Sequence, residues 1–209
     1  MRRSAECGMR VALIDYGAGN LTSVRKGFAA VGVDLQIPGT PGDLDDATGI
    51  VVPGVGHFSA TAAIGNEWRA AIHRRVSAGV PLLGICLGMQ WLFEGSTESL
   101  EVKGLGLIPG MCGRIEAERP LKVPHVGWNT LSPLRTSAVL TGVPAGSHVY
   151  FTHSYAAPVT AECAATATHG QAFAAAVERD NVWGVQFHPE KSSASGLQIL
   201  RNFARLVNG

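Results

Sequence analysis

Charge is scarce in this sequence. Asp, Glu, Lys and Arg make up 16% of the 209 residues, against roughly 25% in an ordinary globular chain, and 17 Lys and Arg nearly cancel 16 Asp and Glu to leave a net charge of +1. A surface that binds nucleic acid broadly shows a basic excess, whereas the densest basic cluster here is the pair Arg74-Arg75. Nucleic acid is therefore not the expected partner. Long apolar runs are also missing: the most apolar stretch, Val80 to Phe93, is broken by Pro81, Gly84, Gly88 and Gln90 and falls short of the ~20 residues that span a bilayer. No apolar segment precedes Met9 as a secretory leader would require, so a cytoplasmic protein is expected. The four cysteines, Cys7, Cys86, Cys112 and Cys163, form no C-x-x-C pair and no zinc-like Cys/His spacing. Neither a disulfide framework nor a metal site is expected.

What the chain has in surplus is glycine, 26 residues, accompanied by 11 prolines. They fall at the ends of short apolar runs. Val11 to Asp15 is an apolar run entering Tyr16-Gly17-Ala18-Gly19-Asn20, and Leu21 to Val31 follows with Leu21, Val24, Phe28 and Val31 at helical spacing. Further strands are expected at Asp34 to Ile37, at Gly49 to Val52 before Pro53-Gly54-Val55-Gly56, and at Val80 to Ile85. Trp68 to Val76 and Leu87 to Phe93 read as helices. Alternating strands and helices with glycine turns at strand ends predict an α/β fold with a mostly parallel, doubly wound sheet. Beyond Leu105 the rhythm becomes antiparallel, with strands predicted at Leu105–Ile108, Gly113–Glu116, His148–Tyr155, Glu162–Thr168, Phe173–Arg179 and Val182–Phe187 before a terminal helix from Ser195 to Val207. Residues 9–209 are expected to form one domain. Residues 1–8 lack periodicity and are expected to be a disordered extension.

Chemistry concentrates at two places. Gly84-Ile85-Cys86-Leu87-Gly88 is a G-x-C-x-G elbow at a strand-to-helix junction, where small flanking residues permit a sharp turn and the helix N-terminus favours a thiolate and a developing oxyanion. A buried cysteine between two packing glycines would leave the same pentapeptide. Val185-Gln-Phe-His-Pro-Glu190 supplies a base and an orienting carboxylate, because residues i and i+2 of an extended chain share a face and Pro189 fixes the backbone between His188 and Glu190. A capping histidine beside a surface glutamate is the plainer alternative. The order cysteine, histidine, glutamate differs from the nucleophile, acid, histidine order of α/β-hydrolases. A cysteine peptidase or hydrolase on a similar fold, and an interaction module with a structural Cys86, stay open at this level.

Taken together, these residues resemble the class I glutamine amidotransferase family, over nearly the whole chain from Met9. Within that family, the glutaminase subunits of imidazole glycerol phosphate synthases are similar at Tyr16-Gly-Ala-Gly-Asn20, Pro53-Gly-Val-Gly56, Gly84-Ile-Cys-Leu-Gly-Met-Gln90, Pro124-His-Val-Gly-Trp-Asn129, His153-Ser-Tyr155 and Gln186-Phe-His-Pro-Glu-Lys-Ser192. The resemblance implies a flavodoxin-like three-layer fold with a more antiparallel C-terminal part, and glutamine hydrolysis by Cys86, His188 and Glu190. It implies oxyanion donors at Leu87 and within Gly54, Val55 and Gly56, and a glutamine site at Gln90, Glu98, His153, Ser154 and Tyr155. No cofactor and no metal are implied. The implied partner is a separate (βα)₈-barrel cyclase subunit in histidine biosynthesis, met by Asn20, Trp128 and Lys191. The same motifs also fit a glutaminase serving another amidotransferase pathway.

Overall fold

A computed structural model describes residues 9–209; the expectation for residues 1–8, and Cys7, lie outside the described residues. The strands are β1 (Val11–Leu13), β2 (Leu35–Gln36), β3 (Gly49–Val52), β4 (Leu82–Ile85), β5 (Gly95–Ser96), β6 (Met111–Arg114), β7 (His125–Thr130), β8 (Ser132–Pro133), β9 (His148–His153), β10 (Tyr155–Ala156), β11 (Cys163–His169), β12 (Gln171–Arg179) and β13 (Val182–Val185). The helices are α1 (Leu21–Ala29), α2 (Asn66–Ser77), α3 (Leu87–Leu92) and α4 (Ser193–Asn208). Among the described residues an eight-stranded sheet runs in the order β2-β1-β3-β4-β13-β12-β11-β8. Its first five strands are parallel and its last three antiparallel, close to the change of rhythm along the chain, except that β13, predicted among the antiparallel strands, pairs parallel with β4 and antiparallel only with β12.

Period-two geometry sends neighbouring residues of each central strand to opposite faces, and both faces are apolar. Val11, Leu13, Val51, Leu83 and Ile85 join Val24 and Phe28 of α1 and Ile199, Leu200 and Phe203 of α4 in one core. Ala12, Ile50, Val52 and Leu82 join Ala71, Ile72 and Val76 of α2 and Met89, Trp91 and Leu92 of α3 in the other. The result is helices, sheet, helices: a flavodoxin-like three-layer α/β fold. Among the described residues no helix is long and apolar enough to cross a membrane.

One predicted strand is absent. Leu105–Ile108 forms no ladder; the N–H groups of Leu107 and Ile108 instead donate to the Leu92 carbonyl at 2.9 and 3.0 Å, and that of Gly106 to Phe93 at 3.0 Å. A helix end leaves carbonyls without intrahelical partners, and this segment satisfies them for α3. Its apolar side chains read as a strand because burial there is real, with Leu105 and Ile108 in the core. The segment of Gly113–Glu116 starts earlier, as β6, and pairs parallel with β5 and antiparallel with β10 rather than in a simple hairpin.

Candidate active site

The site lies where parallel strands end. Strand β4 runs directly into α3, and Cys86 between them sits at φ 54°, ψ −110°, a left-handed conformation that costs a non-glycine residue roughly 1–3 kcal/mol. The turn is held by contacts that leave no room for side chains. A Cβ on Gly88 would run into the Val52 carbonyl oxygen, and one on Gly84 would stand 2.7 Å from the Gly88 oxygen. The two glycines of the elbow therefore let α3 pack directly on the ends of β3 and β4.

Register supplies the rest. Ile85 of β4 pairs with Val185 of β13, and the Cys86 N–H donates to the Val185 carbonyl at 2.8 Å, so the residues that follow β13 emerge beside Cys86. His188 comes next on that path, buried with 3% exposure, and its Nδ1 donates to Glu190 Oε1 at 2.8 Å. With Nδ1 engaged, Nε2 is the ring nitrogen left without a hydrogen-bond partner in the protein. Burial by itself would lower the His188 pKa. The hydrogen bond to Glu190, the neighbouring Cys86 sulfur and the charges of both outweigh it, pushing the imidazole up to about 10. The backbone of His188 is fixed as well: its N–H donates to the Tyr150 carbonyl at 2.9 Å and its carbonyl accepts from Ser192 Oγ at 2.6 Å.

In front of the cysteine is a polar cavity of about 310 Å³, which brings together the sequence-predicted Gly56, Leu87, Gln90, Glu98, His153, Ser154 and Tyr155. Gln90 is 4% exposed and its Nε2 donates to the Tyr155 carbonyl at 2.7 Å. Glu98 Oε2 accepts from the Phe58 N–H at 2.8 Å, which ties the pocket rim to the segment after the glycine loop. In that loop Gly56 has φ +101°, a value that favours glycine. The Gly54 carbonyl accepts from the Leu87 N–H at 3.3 Å. Beside the elbow, the loop thus presents an acceptor, and it occupies the very N–H expected to stabilise an oxyanion.

This chain matches the family model described as Glutamine amidotransferase class-I over residues 12–207. It belongs to that family. An imidazole glycerol phosphate synthase subunit HisH from Moorella thermoacetica is 45% identical to it over 94% of this chain and 95% of the relative. The chloroplastic imidazole glycerol phosphate synthase hisHF of Arabidopsis thaliana is 41% identical over 97% of this chain, which spans 35% of that longer protein. A crystal structure described as glutamine amidotransferase superposes with a TM-score of 0.73 at 17% identity, covering 95% of this chain and 99% of the other, a likeness of fold.

Several residues of this amidotransferase site went unassigned in the sequence reading. Gln186 is fully buried; its Oε1 accepts from Gln90 Nε2 at 3.1 Å and its Nε2 lies 3.7 Å from the Cys86 sulfur. A lone polar residue between the apolar run Val182–Val185 and His188, two positions from the base, was the available signal. The Tyr16 hydroxyl donates to the Pro53 carbonyl at 2.8 Å, and burial and the neighbouring Cys86 raise its pKa. Of the residues expected to meet a partner, Trp128 is 51% exposed, its ring edge-on to Tyr150 at 6.1 Å, and the exposed Lys191 holds its ammonium 5.8 Å from the same ring. Asn20 is exposed too, and its side-chain oxygen caps α1 by accepting from the Ser23 N–H at 3.1 Å.

Glu190 is wedged in place from behind. A Cβ added to Gly27 of α1 would stand 2.9 Å from Glu190 Cβ and 3.3 Å from its Cα, a clash that rotation of the glutamate cannot relieve. Gly27→Ala is expected to lower the glutamine turnover number by about tenfold while α1 gains helix propensity, because misplacing an orienting group slows proton transfer. Steady-state kinetics beside a melting curve check this, and unchanged turnover would show that Glu190 tolerates displacement.

His153 at the cavity wall and His125 behind it are held neutral: burial first and neighbouring histidines second, His169 for both and also His125 and His188 for His153, lower their pKa values to about 3 and about 4. An unfolded histidine binds its proton near pH 6.5. Below that pH the unfolded chain takes up protons that the native state refuses until about pH 4, so stability present above 6.5 is lost as pH falls. Melting temperatures from pH 7.5 to 4.5 should drop for the native protein and drop less for His125→Phe.

Proposed function

We propose that the chain hydrolyses glutamine through Cys86, His188 and Glu190, as the glutaminase subunit of an imidazole glycerol phosphate synthase. Residues 9–209 act as one domain in the cytoplasm, and the ammonia is passed to a separate (βα)₈-barrel cyclase subunit in histidine biosynthesis. The observation that carries this reading is the buried His188–Glu190 pair behind a left-handed cysteine that opens on a polar cavity. The relatives named as synthase subunits over nearly the full chain length support the pathway, and the longer hisHF relative supports a second functional unit working with this one.

Glutamine lies in the cavity with its amino-acid end toward Gln90, Glu98 and the backbone of His153-Ser154-Tyr155. The Cys86 sulfur, its proton taken by His188, attacks the side-chain carbonyl carbon. The carbon–nitrogen bond then breaks, and ammonia leaves with the proton returned by His188, giving a γ-glutamyl thioester. His188 next deprotonates a water that attacks the thioester; glutamate departs and the sulfur is restored. Glu190 keeps the imidazole oriented and compensates its positive charge.

The Gly54 contact to Leu87 explains why such an enzyme would idle alone. Stabilising the oxyanion requires the Leu87 N–H to be released and a loop N–H, at Val55 or Gly56, to turn toward the elbow. One missing oxyanion donor costs on the order of 10²- to 10³-fold in rate. Trp128, Lys191 and Asn20 form the partner-facing surface, and docking there shifts the loop to its donor form. The test is glutamate release from glutamine with and without the cyclase subunit and its nucleotide ligand. Stimulation on the order of 10²-fold or more is expected from that one donor. Partner-independent peptide cleavage, or equal glutaminase rates with and without the partner, would overturn the reading.

A further inference from the structure

Strands β7 and β9 pair in a register that sets His125 opposite His153, and both imidazoles are buried. Their protonation pattern follows from their partners. His153 Nδ1 lies 2.9 Å from the Tyr155 carbonyl, which only accepts, so the hydrogen of this neutral ring is on Nδ1 and Nε2 is an acceptor. The group facing that Nε2, at 3.2 Å, is His125 Nδ1, which must donate. His125 Nε2 is then an acceptor in turn, and Asn129 Nδ2 stands 3.3 Å away to donate to it.

The far end of the row fixes the same direction independently. Asn129 Oδ1 accepts from the Thr130 N–H at 2.8 Å, and Nδ2 donates its other hydrogen to the Thr168 carbonyl at 2.8 Å, so the amide nitrogen is the end turned to His125. Two backbone anchors, one at each end, impose one consistent polarity. The row ends at the carbonyl that also receives Gln90, and Gln90 leads through Gln186 to the Cys86 sulfur. His125 itself lies outside the cavity lining, stacked between Phe151 at 4.9 Å and His169 at 4.2 Å. Nor is the cluster a metal site: among the described residues no group of three His, Cys, Asp or Glu is disposed to hold a metal ion.

We propose that His125, oriented by Asn129, is a positioning residue for glutamine: it fixes the tautomer of His153, which locks the Tyr155 carbonyl and Gln90 at the pocket wall. The inference rests on the glutaminase reading, and it assigns His125 to binding rather than to proton transfer. With the row broken, His153 is free to rotate, the Tyr155 carbonyl loses one of its two donors, and the wall that receives the amino-acid end loosens. The thiol–imidazole chemistry, anchored on other strands, is little affected.

Two substitutions separate hydrogen bonding from packing. His125→Phe keeps the stack and removes the donor and the acceptor; His125→Asn keeps a donor at the Nδ1 position and gives up the stack. Glutaminase kinetics of the full chain with its partner should show His125→Phe raising KM for glutamine about tenfold, the worth of one hydrogen bond, with kcat within about threefold, while His125→Asn stays within about threefold of native KM. Phe with native KM, or a loss confined to kcat, would overturn the proposal. Should either variant fail to fold, imidazole nitrogen NMR of the native protein decides: His125 and His153 are both expected as neutral Nδ1–H tautomers, and an Nε2–H tautomer at either overturns it. That spectrum needs no turnover, so a native protein that released no glutamate would sink the glutaminase reading and leave the tautomer test standing.

Discussion

Cys86→Ala should release glutamate no faster than the solvent background, a loss on the order of 10⁴-fold or more, while melting within a few degrees of the native protein. The first half follows from the chemistry. In the proposed reaction Cys86 supplies the bond-forming atom, and its removal would leave the pocket without a route to the thioester. The second half follows from the packing. The elbow is shaped by Gly84, Gly88 and the pairing of β4 with β13, none of which needs the sulfur, and losing one small group at a cavity edge leaves little void. An electrophilic glutamine analogue should label the native chain at Cys86 in a peptide map and leave the variant unlabelled there. Buried Cys112, its pKa raised by burial, and buried Cys163, raised to about 11 chiefly by burial, should stay unlabelled in both. Residual activity above background in Cys86→Ala would remove the cysteine from the mechanism.

His188→Asn should cost on the order of 10³- to 10⁴-fold in turnover, slowing thioester formation and breakdown together, because in the proposed reaction one imidazole carries the proton in both. Rapid-quench measurement of both steps is the check, and an effect on glutamine affinity alone would make His188 a binding residue. Glu190→Gln should lose less, since the amide oxygen can still accept from Nδ1 and only the charge is removed. The native His188 carries a further signature. Its pKa is raised to about 10 from about 6.5, so the native state holds a proton that the unfolded chain has released. The resulting stability is complete below pH 6.5 and disappears as pH climbs through about 10. The melting gap between native protein and His188→Asn should therefore narrow between pH 7 and 10.

These expectations draw unequally on the chain and on its folding. The elbow and H-P-E were legible because their geometry is local: two glycines around a cysteine permit a sharp turn, and only Pro189 separates imidazole from carboxylate, although Pro189–Lys191 forms a 3-10 turn capped by His188 where extended chain was expected. Glu98 and the residues around His153 could be named through family resemblance and then found lining one cavity. Leu105–Ile108 misled because apolar content records burial, and a segment that caps a helix end is buried as deeply as a strand. Gln186 and Tyr16, present in the quoted motifs, and Gly27 had no role assigned because each matters only through a neighbour distant in sequence: Cys86, Pro53 and Glu190 respectively.

By itself, then, the sequence determined the fold class, since apolar periodicity and glycine turns specify it, and singled out Cys86, His188 and Glu190 as candidates whose roles the family resemblance implies. Tertiary structure alone decided which groups meet across strands. The register of β4 with β13 carries His188 to the cysteine, that of β7 with β9 sets the two inner histidines face to face, and the packing of the glycine loop turns the Gly54 carbonyl onto the Leu87 N–H. Strand register and peptide orientation depend on contacts summed over the whole core, and no local run of residues encodes that sum.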